Sequence, residues 1–557
     1  MSASAYTSPF WARQNPIFVR CLRSRLRPNQ VLAYGAITVV IAGFIFAMVF
    51  LAGGRVAGTA IVARTAIVPL LALQSFILLL LGTGSAATGV ALERDLGMLD
   101  FHRMTPMSPT SKILGFLFGL PVREYFMFAL TLPFMLAAFV LAEVSLFRVL
   151  ELYVVFGSGV LLYHLTGMAA GMVTKRARRA SWLAQAIVLI LYFVLPQFGH
   201  AGFTSFSYLT YMPTLRSLLA EEAGVGGWSI VAELQKAFGL GAEIDVPFFG
   251  LMLRASLYSL FIQGLASLSF FLIVRRKLKD EAAPSFGKTY AVALFAAVTT
   301  LLVGSVWPYW VGAVKKLSLF ALAKGGGATF QPEAALLVFV VLIVVFGAFV
   351  LSIVTPGEAS FLRGIRRARR LKQQHAPPRA DEAPGLWVAL ALAGICAAGY
   401  LSLVVYALRN GGAGLAGGTG IAEALVPATI MGLTLVEVHG ARARLEGKLF
   451  LVYVFGLWIV PLMVMAVLAA AAGYSTPMGM LGSISPLWSI QASVHPLFLA
   501  MGKSAGLPRG SWEVVIAAVV LRVGFAAFFF TQTRALHARL LQRDAAPEGK
   551  TQAPTTR

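Results

Sequence analysis

The sequence predicts an all-α polytopic membrane protein of about twelve transmembrane helices. Both termini are expected on the cytoplasmic side, with an amphipathic interfacial helix ahead of the first span. Three observations predict this. Hydrophobic residues make up 58% of the 557 and charged residues only 12%, where a water-facing surface needs about 25%; mean hydropathy is +0.79. Apolar stretches close to the ~20 residues that carry a helix across a bilayer recur along the chain. Finally, the 46 Lys and Arg, set against 23 Asp and Glu for a net charge of +23, are unevenly distributed among the connecting segments.

The apolar stretches are 31–51, 66–92, 113–141, 149–173, 182–200, 250–274, 291–310, 334–356, 386–408, 421–437, 449–473 and 512–532. Trp182, Trp307, Tyr309, Trp310, Trp387 and Trp512 mark several ends, as an interfacial aromatic belt would. With the N-terminus inside, 32 of the Lys and Arg fall in inner segments, 11 in outer ones and three within spans. This asymmetry orients the chain. It also accounts for the charge without a nucleic-acid partner, leaving the lipid bilayer as the anionic surface. The organisation expected is a cytoplasmic segment 1–30, a six-span domain 31–280, a second six-span domain 281–540 and a disordered cytoplasmic tail 541–557.

Within the first segment, Asn15 is a good N-cap and Pro16 suits the first helical position. Val19, Leu22 and Leu26 share one face, and Pro28 ends the run. Arg20, Arg23 and Arg27 can reach lipid phosphates, which describes a helix lying on the inner leaflet. Five arginines ahead of the first span make that span an uncleaved anchor.

Residues 93–112, between the second and third spans, are long for a bare hairpin. A short charged helix stopped by Thr105-Pro106 would present Leu96, Leu99 and Phe101 to a partner; a solvated turn is the alternative. Several ionisable residues fall inside spans. Arg123 and Glu124 stand ten residues into the third, about 15 Å deep at the helical rise, and adjacent residues diverge on a helix, so each is expected to find a different partner. They, and Arg522 in the last span, read either as structural ion pairs or snorkelling groups or as a substrate path or inter-helix lock. His164 reads as a hydrogen-bonded interior residue rather than a proton carrier. Arg254 reads as an interfacial anchor, and Gly167-x-x-x-Gly171 as a site of close helix packing.

Several chemistries find no support. A phosphate-binding loop needs Gly-x-x-x-x-Gly-Lys-Ser/Thr, yet Ala282 precedes Gly287-Lys288-Thr289 and Leu497 precedes Gly502-Lys503-Ser504. The acids are scattered and the seven histidines isolated, so neither catalysis nor a metal site is expected. Cys21 and Cys396 offer no disulfide framework.

Taken together, 13–28 and 93–109 resemble the permease subunits of type-2 ABC exporters, which lack an ATPase domain of their own. Asn15, Pro16, Arg20, Leu22, Arg25 and Arg27 fit that family's amphipathic helix. Glu93, Arg94, Gly97, Leu99, Thr105, Pro106 and Ser108 fit its segment between spans two and three. Cys21 stands where an acid is usual, Asp95 and Met98 where Glu and Thr are, and Phe116 where a lysine is common. The resemblance covers about the first half of the chain. It implies a coupling segment, with Glu93, Arg94, Asp95, Gly97, Leu99, Phe101, Thr105 and Pro106 working against a separate cytoplasmic ABC ATPase, two copies being expected. ATP and Mg would bind there and no cofactor here. It also implies alternating access, a bacterial inner membrane, and either a homodimer or a pseudo-dimer within one chain.

The second half reads either as a diverged copy of the first or as an unrelated extension. Its basic stretch Gly364–Lys372 abuts a span and reads as a lipid-headgroup contact. The alternative function is a twelve-span secondary transporter of the major facilitator class, driven by an ion gradient. Gly89, Glu93 and Arg94 imitate the start of that class's loop motif, but Leu96 and Met98-Leu99 depart from it.

Overall fold

A computed structural model describes residues 15–53, 58–174, 176–223, 245–320, 332–373, 376–410, 419–445, 447–500 and 512–545. Their regular structure is helical apart from one small hairpin, β1 (Val246–Phe248) paired antiparallel with β2 (Leu251–Leu253). Phe249 and Gly250 turn it with φ of 48° and 85°, the left-handed pair that a two-residue hairpin requires.

Twelve helices among the described residues are long and apolar enough to cross a membrane: Pro28–Ala52, Thr59–Asp95, Val122–Leu141, Leu146–Val173, Ala177–Ala201, Ala255–Lys279, Lys288–Gly312, Ala334–Val354, Leu386–Asn410, Ala424–Arg444, Lys448–Ala471 and Trp512–Gln542. They are numbered here as spans 1–12. The chain is an all-α polytopic membrane protein. Among the described residues seven shorter α-helices join them: α1 (Pro16–Arg25), α2 (Met98–Met104), α3 (Pro109–Gly119), α4 (Met212–Ala223), α5 (Glu358–Arg370), α6 (Thr476–Gly482) and α7 (Pro486–Ala500). The chain divides into two compact units, Met1–Ser285 and Phe286–Arg557.

In unit 1, spans 2, 3 and 4 pack around Ile67, Leu70, Met135, Phe139, Leu152 and Phe156, and α4 adds Tyr211, Met212 and Leu215 to the same core. Span 4 lies on span 2 backbone to backbone. A Cβ at Gly167 would stand 2.5 Å from the Thr83 carbonyl oxygen, and one at Gly171 2.6 Å from that of Ala87, so only glycine permits the approach. In unit 2, α7 is buried through Trp488, Ser489, Ile490 and Val494, and Trp488 packs with Met465 and Val514.

Three spans contain π-helical turns: Phe76–Gly82 in span 2, Ile190–Val194 in span 5 and Phe455–Ile459 in span 11. Two have a local cause. Pro196 and Pro461 each follow the wide turn by two residues, and a proline ring cannot approach the carbonyl four residues back, so the ladder widens ahead of it.

The structure moves several expected boundaries. The stretch 113–141 is not one helix. It breaks at Leu120-Pro121 into α3 and span 3, so Arg123 and Glu124 occupy the first turn of span 3 rather than its depth. Span 6 begins at Ala255, because 246–253 form the hairpin. Span 10 continues to Arg444, which takes Glu437 inside it. Residues 541–545, expected in a disordered tail, complete the last helix, where Phe361 packs against Leu536 and Leu540; 546–557 lie outside the described residues. Of the expected belt, Trp182 and Trp512 are exposed, whereas Trp310 is buried and donates to the Leu403 carbonyl at 2.9 Å.

Candidate coupling site

Residues 93–112 fold as a turn, a helix and a second turn, each with a local cause. Gly97 adopts φ of 71° and so terminates span 2 in the left-handed conformation that glycine alone takes without strain. Helix α2 then runs seven residues and stops before Thr105-Pro106, since the residue before a proline is pushed out of the helical region. Ser108 caps α3 through the Ser111 amide at 3.1 Å, with Pro109 at the first position. The same device starts α1: Asn15 Oδ1 accepts from the amides of Ile17 and Phe18 at 3.1 and 3.3 Å.

Two arginines fasten this segment to the ends of other spans. Arg94 Nη1 donates to the Gly171 carbonyl of span 4 at 3.0 Å. Arg103 Nε and Nη2 donate to the Leu278 and Lys277 carbonyls of span 6 at 3.2 and 3.1 Å. The last carbonyls of a helix lack partners along it and carry the negative end of its dipole, so a cation there is doubly favoured. Arg103 also pairs with Asp100 and lies 3.5 Å from Glu281. The segment is therefore covalently continuous with spans 2 and 3 and hydrogen-bonded to spans 4 and 6.

Helix α1 closes the other side. Arg20 pairs with Glu93, and His102 Nε2 lies 3.6 Å from the same carboxylate. Asn15 Nδ2 donates to the Ser111 carbonyl at 2.8 Å. The buried face of α1 is Ile17 and Cys21, not the Val19–Leu22–Leu26 stripe. It packs on α3, where a Cβ at Gly115 would meet Asn15 and Ile17 and one at Gly119 would meet Cys21. Arg20 is thus engaged with protein, while Arg23 and Arg27 are exposed. Burial pushes the Cys21 thiol up from its ordinary value, with Arg20 and Arg25 opposing, and burial pulls the Lys112 ammonium down. Lys112 Nζ donates to the Thr105 carbonyl at 3.3 Å. The glycines of α3 stand at Gly-x-x-x-Gly spacing, a signal in plain view that marks where α1 docks.

Of the residues expected to work against a partner, Phe101 is 57% exposed, and Asp95, Gly97 and Pro106 are also exposed. Leu99 is buried under α2 at 1% exposure and cannot form part of a docking face. Leu96, at 67%, and Met104, at 78%, complete the outward apolar patch instead. At 3.6 residues per turn, Phe101 and Met104 fall on the side of α2 opposite inward Leu99, and Leu96 precedes the left-handed turn at Gly97 that starts the helix. Arg94 and Thr105 face inward, Thr105 Oγ1 bonding the His102 carbonyl at 2.7 Å.

The intramembrane residues are all engaged. Arg123 Nη2 donates to Glu124 Oε1 at 2.6 Å, which also accepts from Ser85 at 2.7 Å. The expectation of separate partners is corrected: at the start of a helix a long guanidinium can fold back over its neighbour, and that of Arg123 also covers the Tyr34 ring at 4.6 Å. His164 bridges the Leu78 carbonyl (2.9 Å) and the Tyr125 hydroxyl (2.8 Å). A carbonyl only accepts, so Nε2 carries the proton and Nδ1 takes the tyrosine's, a neutral interior tautomer. Arg522 pairs with Glu437 in unit 2. Arg254 immediately precedes span 6 and its side chain pairs with Glu151 of span 4.

No family model, curated protein or solved structure matches this chain. Its own geometry carries the functional argument.

The connection between spans 8 and 9 in the second unit is built differently from that between spans 2 and 3. Between spans 8 and 9, α5 buries Phe361, Gly364 and Ala368 and exposes Arg363, Arg366, Arg367, Arg369 and Arg370. Here the outward face is basic where that of α2 is apolar and mixed in charge. Lys288, from the incomplete phosphate-loop match, is buried, with its ammonium donating to the Ala380 carbonyl at 2.6 Å and to that of Ala383. Gly502–Ser504 lie outside the described residues. Among those described, no three His, Cys, Asp or Glu side chains gather as metal ligands would.

Proposed function

We propose that the chain is the membrane-spanning permease subunit of an ABC-type exporter, driven by separate cytoplasmic ATPase subunits. One observation carries the reading: α2 and the turn before it expose Leu96, Phe101 and Met104 while Arg94 and Arg103 hold the ends of spans 4 and 6. A protein that pushed on the exposed patch would move four helix ends together, as alternating access requires. The bond from α1 to Glu93 adds a fifth element to the moving set. ATP and Mg belong to the partner in this reading, and this chain performs no catalysis. In this reading the chain sits in the inner membrane of a bacterium and works as a homodimer or as a pseudo-dimer within one chain. The basic face of α5 favours the anionic leaflet over an ATPase.

Purification of the tagged chain from its native host in mild detergent tests the proposal. An ABC ATPase should accompany it, and Phe101→Asp with Met104→Asp should release that ATPase without loss of folded permease. Transport that follows an ion gradient and ignores ATP would favour a secondary transporter and sink the reading.

A further inference from the structure

Helix α5 has two faces with different surroundings. At 3.6 residues per turn, Phe361, Gly364, Ile365 and Ala368 share one face, and Phe361 and Ile365 pack with Leu536 and Leu540 of span 12. His537 stacks on the Phe361 ring at 4.1 Å. A Cβ at Gly364 would stand 2.6 Å from that of Glu382, so the stretch 380–383 lies against the helix as well. The Ala380 and Ala383 carbonyls of that stretch hold Lys288, the first residue of span 7. Helix α5 is thus seated on protein along its inner face and tied to the ends of spans 7 and 12.

The opposite face carries Arg363, Arg366, Arg367 and Arg370, at the i, i+3, i+4 and i+7 spacing of a single stripe, and all four are exposed. Glu382 approaches Arg367 at 3.7 Å, yet that arginine side chain is still 72% exposed. Arg363 and Arg370 have no carboxylate partner among the described residues. Like charges three and four residues apart on a helix repel, so the stripe costs stability unless an anionic surface faces it.

Span 12 sets the depth of this stripe. Between Val514 and Thr533 its one ionisable residue is Arg522, which is paired with Glu437. That stretch measures about 30 Å, the thickness of a hydrocarbon core. Leu536 follows within one turn, so α5 docks on span 12 at the level of the lipid headgroups rather than out in the aqueous phase.

We propose that the Arg363–Arg370 stripe binds the phosphate headgroups of anionic phospholipids, which hold α5 against the end of span 12. A guanidinium presents a planar fork that takes two phosphate oxygens at once, and basic clusters beside a span draw anionic lipids to them. Headgroup depth selects a lipid over a soluble acidic protein. The proposal rests on the leaflet preference of α5 stated above and on no ATPase, so it and the co-purification experiment fail separately.

Native mass spectrometry of the full chain released from nanodiscs of equal phosphatidylglycerol and phosphatidylcholine tests this. Lipid retained by the wild type should be severalfold enriched in phosphatidylglycerol. Arg363→Gln with Arg370→Gln should remove most of that enrichment, whereas Arg23→Gln with Arg27→Gln on α1 should keep it. All four side chains are exposed, so neither pair disturbs packing. Amide hydrogen exchange across 358–370 should be slower in discs containing phosphatidylglycerol than in phosphatidylcholine alone, and the α5 pair should abolish the difference. Equal retention of the two lipids by the wild type overturns the proposal, as does an equal loss of enrichment in the α1 pair. Enrichment that survives the α5 pair, with an acidic protein captured by the wild type and lost by that variant, would assign the stripe to a soluble partner instead.

Discussion

Arg522 Nη1 donates to Glu437 Oε2 at 2.7 Å, with both side chains fully buried between spans 10 and 12. The other carboxylate oxygen accepts from Tyr453 of span 11 at 2.7 Å, and Arg522 also donates to the Ile484 carbonyl between α6 and α7. One ion pair thus joins three spans to the connection after span 11. Removing one partner of a buried pair leaves a bare charge, whereas replacing both with apolar groups often costs little. Glu437→Ala should lower stability by about 3–5 kcal/mol, read as loss of monodisperse protein on heating in detergent. Glu437→Met combined with Arg522→Met should recover most of it. Equal losses in the single and double variants would contradict this.

If 93–112 couples the chain to an ATPase as proposed, its two arginines can be separated from the exposed patch. Arg103→Ala leaves Leu96, Phe101 and Met104 untouched but frees the end of span 6. It should retain the ATPase on co-purification yet weaken ATP-driven transport, by a coupling loss of about 0.5–2 kcal/mol. Parallel loss of binding and transport would mean that Arg103 only supports the fold.

The Arg20–Glu93 pair is 40% and 17% exposed at its side chains, so solvent screens it. Its coupling energy in a double-mutant cycle should be about 0.5–1 kcal/mol and should fall in high salt. The exchange Arg20→Glu with Glu93→Arg should restore part of what either change removes alone.

Glycine positions in span 4 give an internal contrast. Gly167→Ala meets the Thr83 carbonyl and should cost about 1–3 kcal/mol. Gly157→Ala, on the same helix with nothing within 4 Å of its Cβ, should stay within about 0.5 kcal/mol of the parent. Thermal stability of both in one detergent makes the comparison.

Cys21 supplies a pH readout. Its folded thiol titrates above the ordinary 9.0 because burial disfavours the thiolate, and the thiolate is the species that alkylates. Maleimide labelling of native protein should be slow at pH 7 and keep rising above pH 9. Labelling that levels off by pH 9 would show an accessible, unperturbed thiol. Opening the α1–α3 contact with Gly119→Val should accelerate it.

Periodicity and charge made most of the fold legible, because a membrane leaves a chain few options: a run of apolar residues must become a helix. What escaped was breakage within such runs. Pro121 divides the third stretch, yet it sits among residues as apolar as any span, and only the packing of α3 on α1 reveals the division. Glu437 escaped for a related reason. Its stretch loses hydropathy before its helix ends, and a buried acid becomes affordable only because Arg522 arrives from 85 residues away. Between spans 2 and 3 the sequence predicted a short helix stopped by Thr105-Pro106, as found. It could not assign the tasks of Arg94, Arg103 and Leu99, since these depend on where spans 4 and 6 end.

Spans 5 and 11, one in each unit, carry wide turns held in place by a following proline, and such a turn is slack in the span. A turn that closes its hydrogen bonds one residue late holds a residue in reserve, and absorbing or releasing it changes the length of the rod by about 1.5 Å. Pro196 and Pro461 keep that reserve from being lost to a regular helix. When neighbouring spans are driven, these two can stretch or turn without unzipping from either end, as an expansion joint lets a rigid frame move.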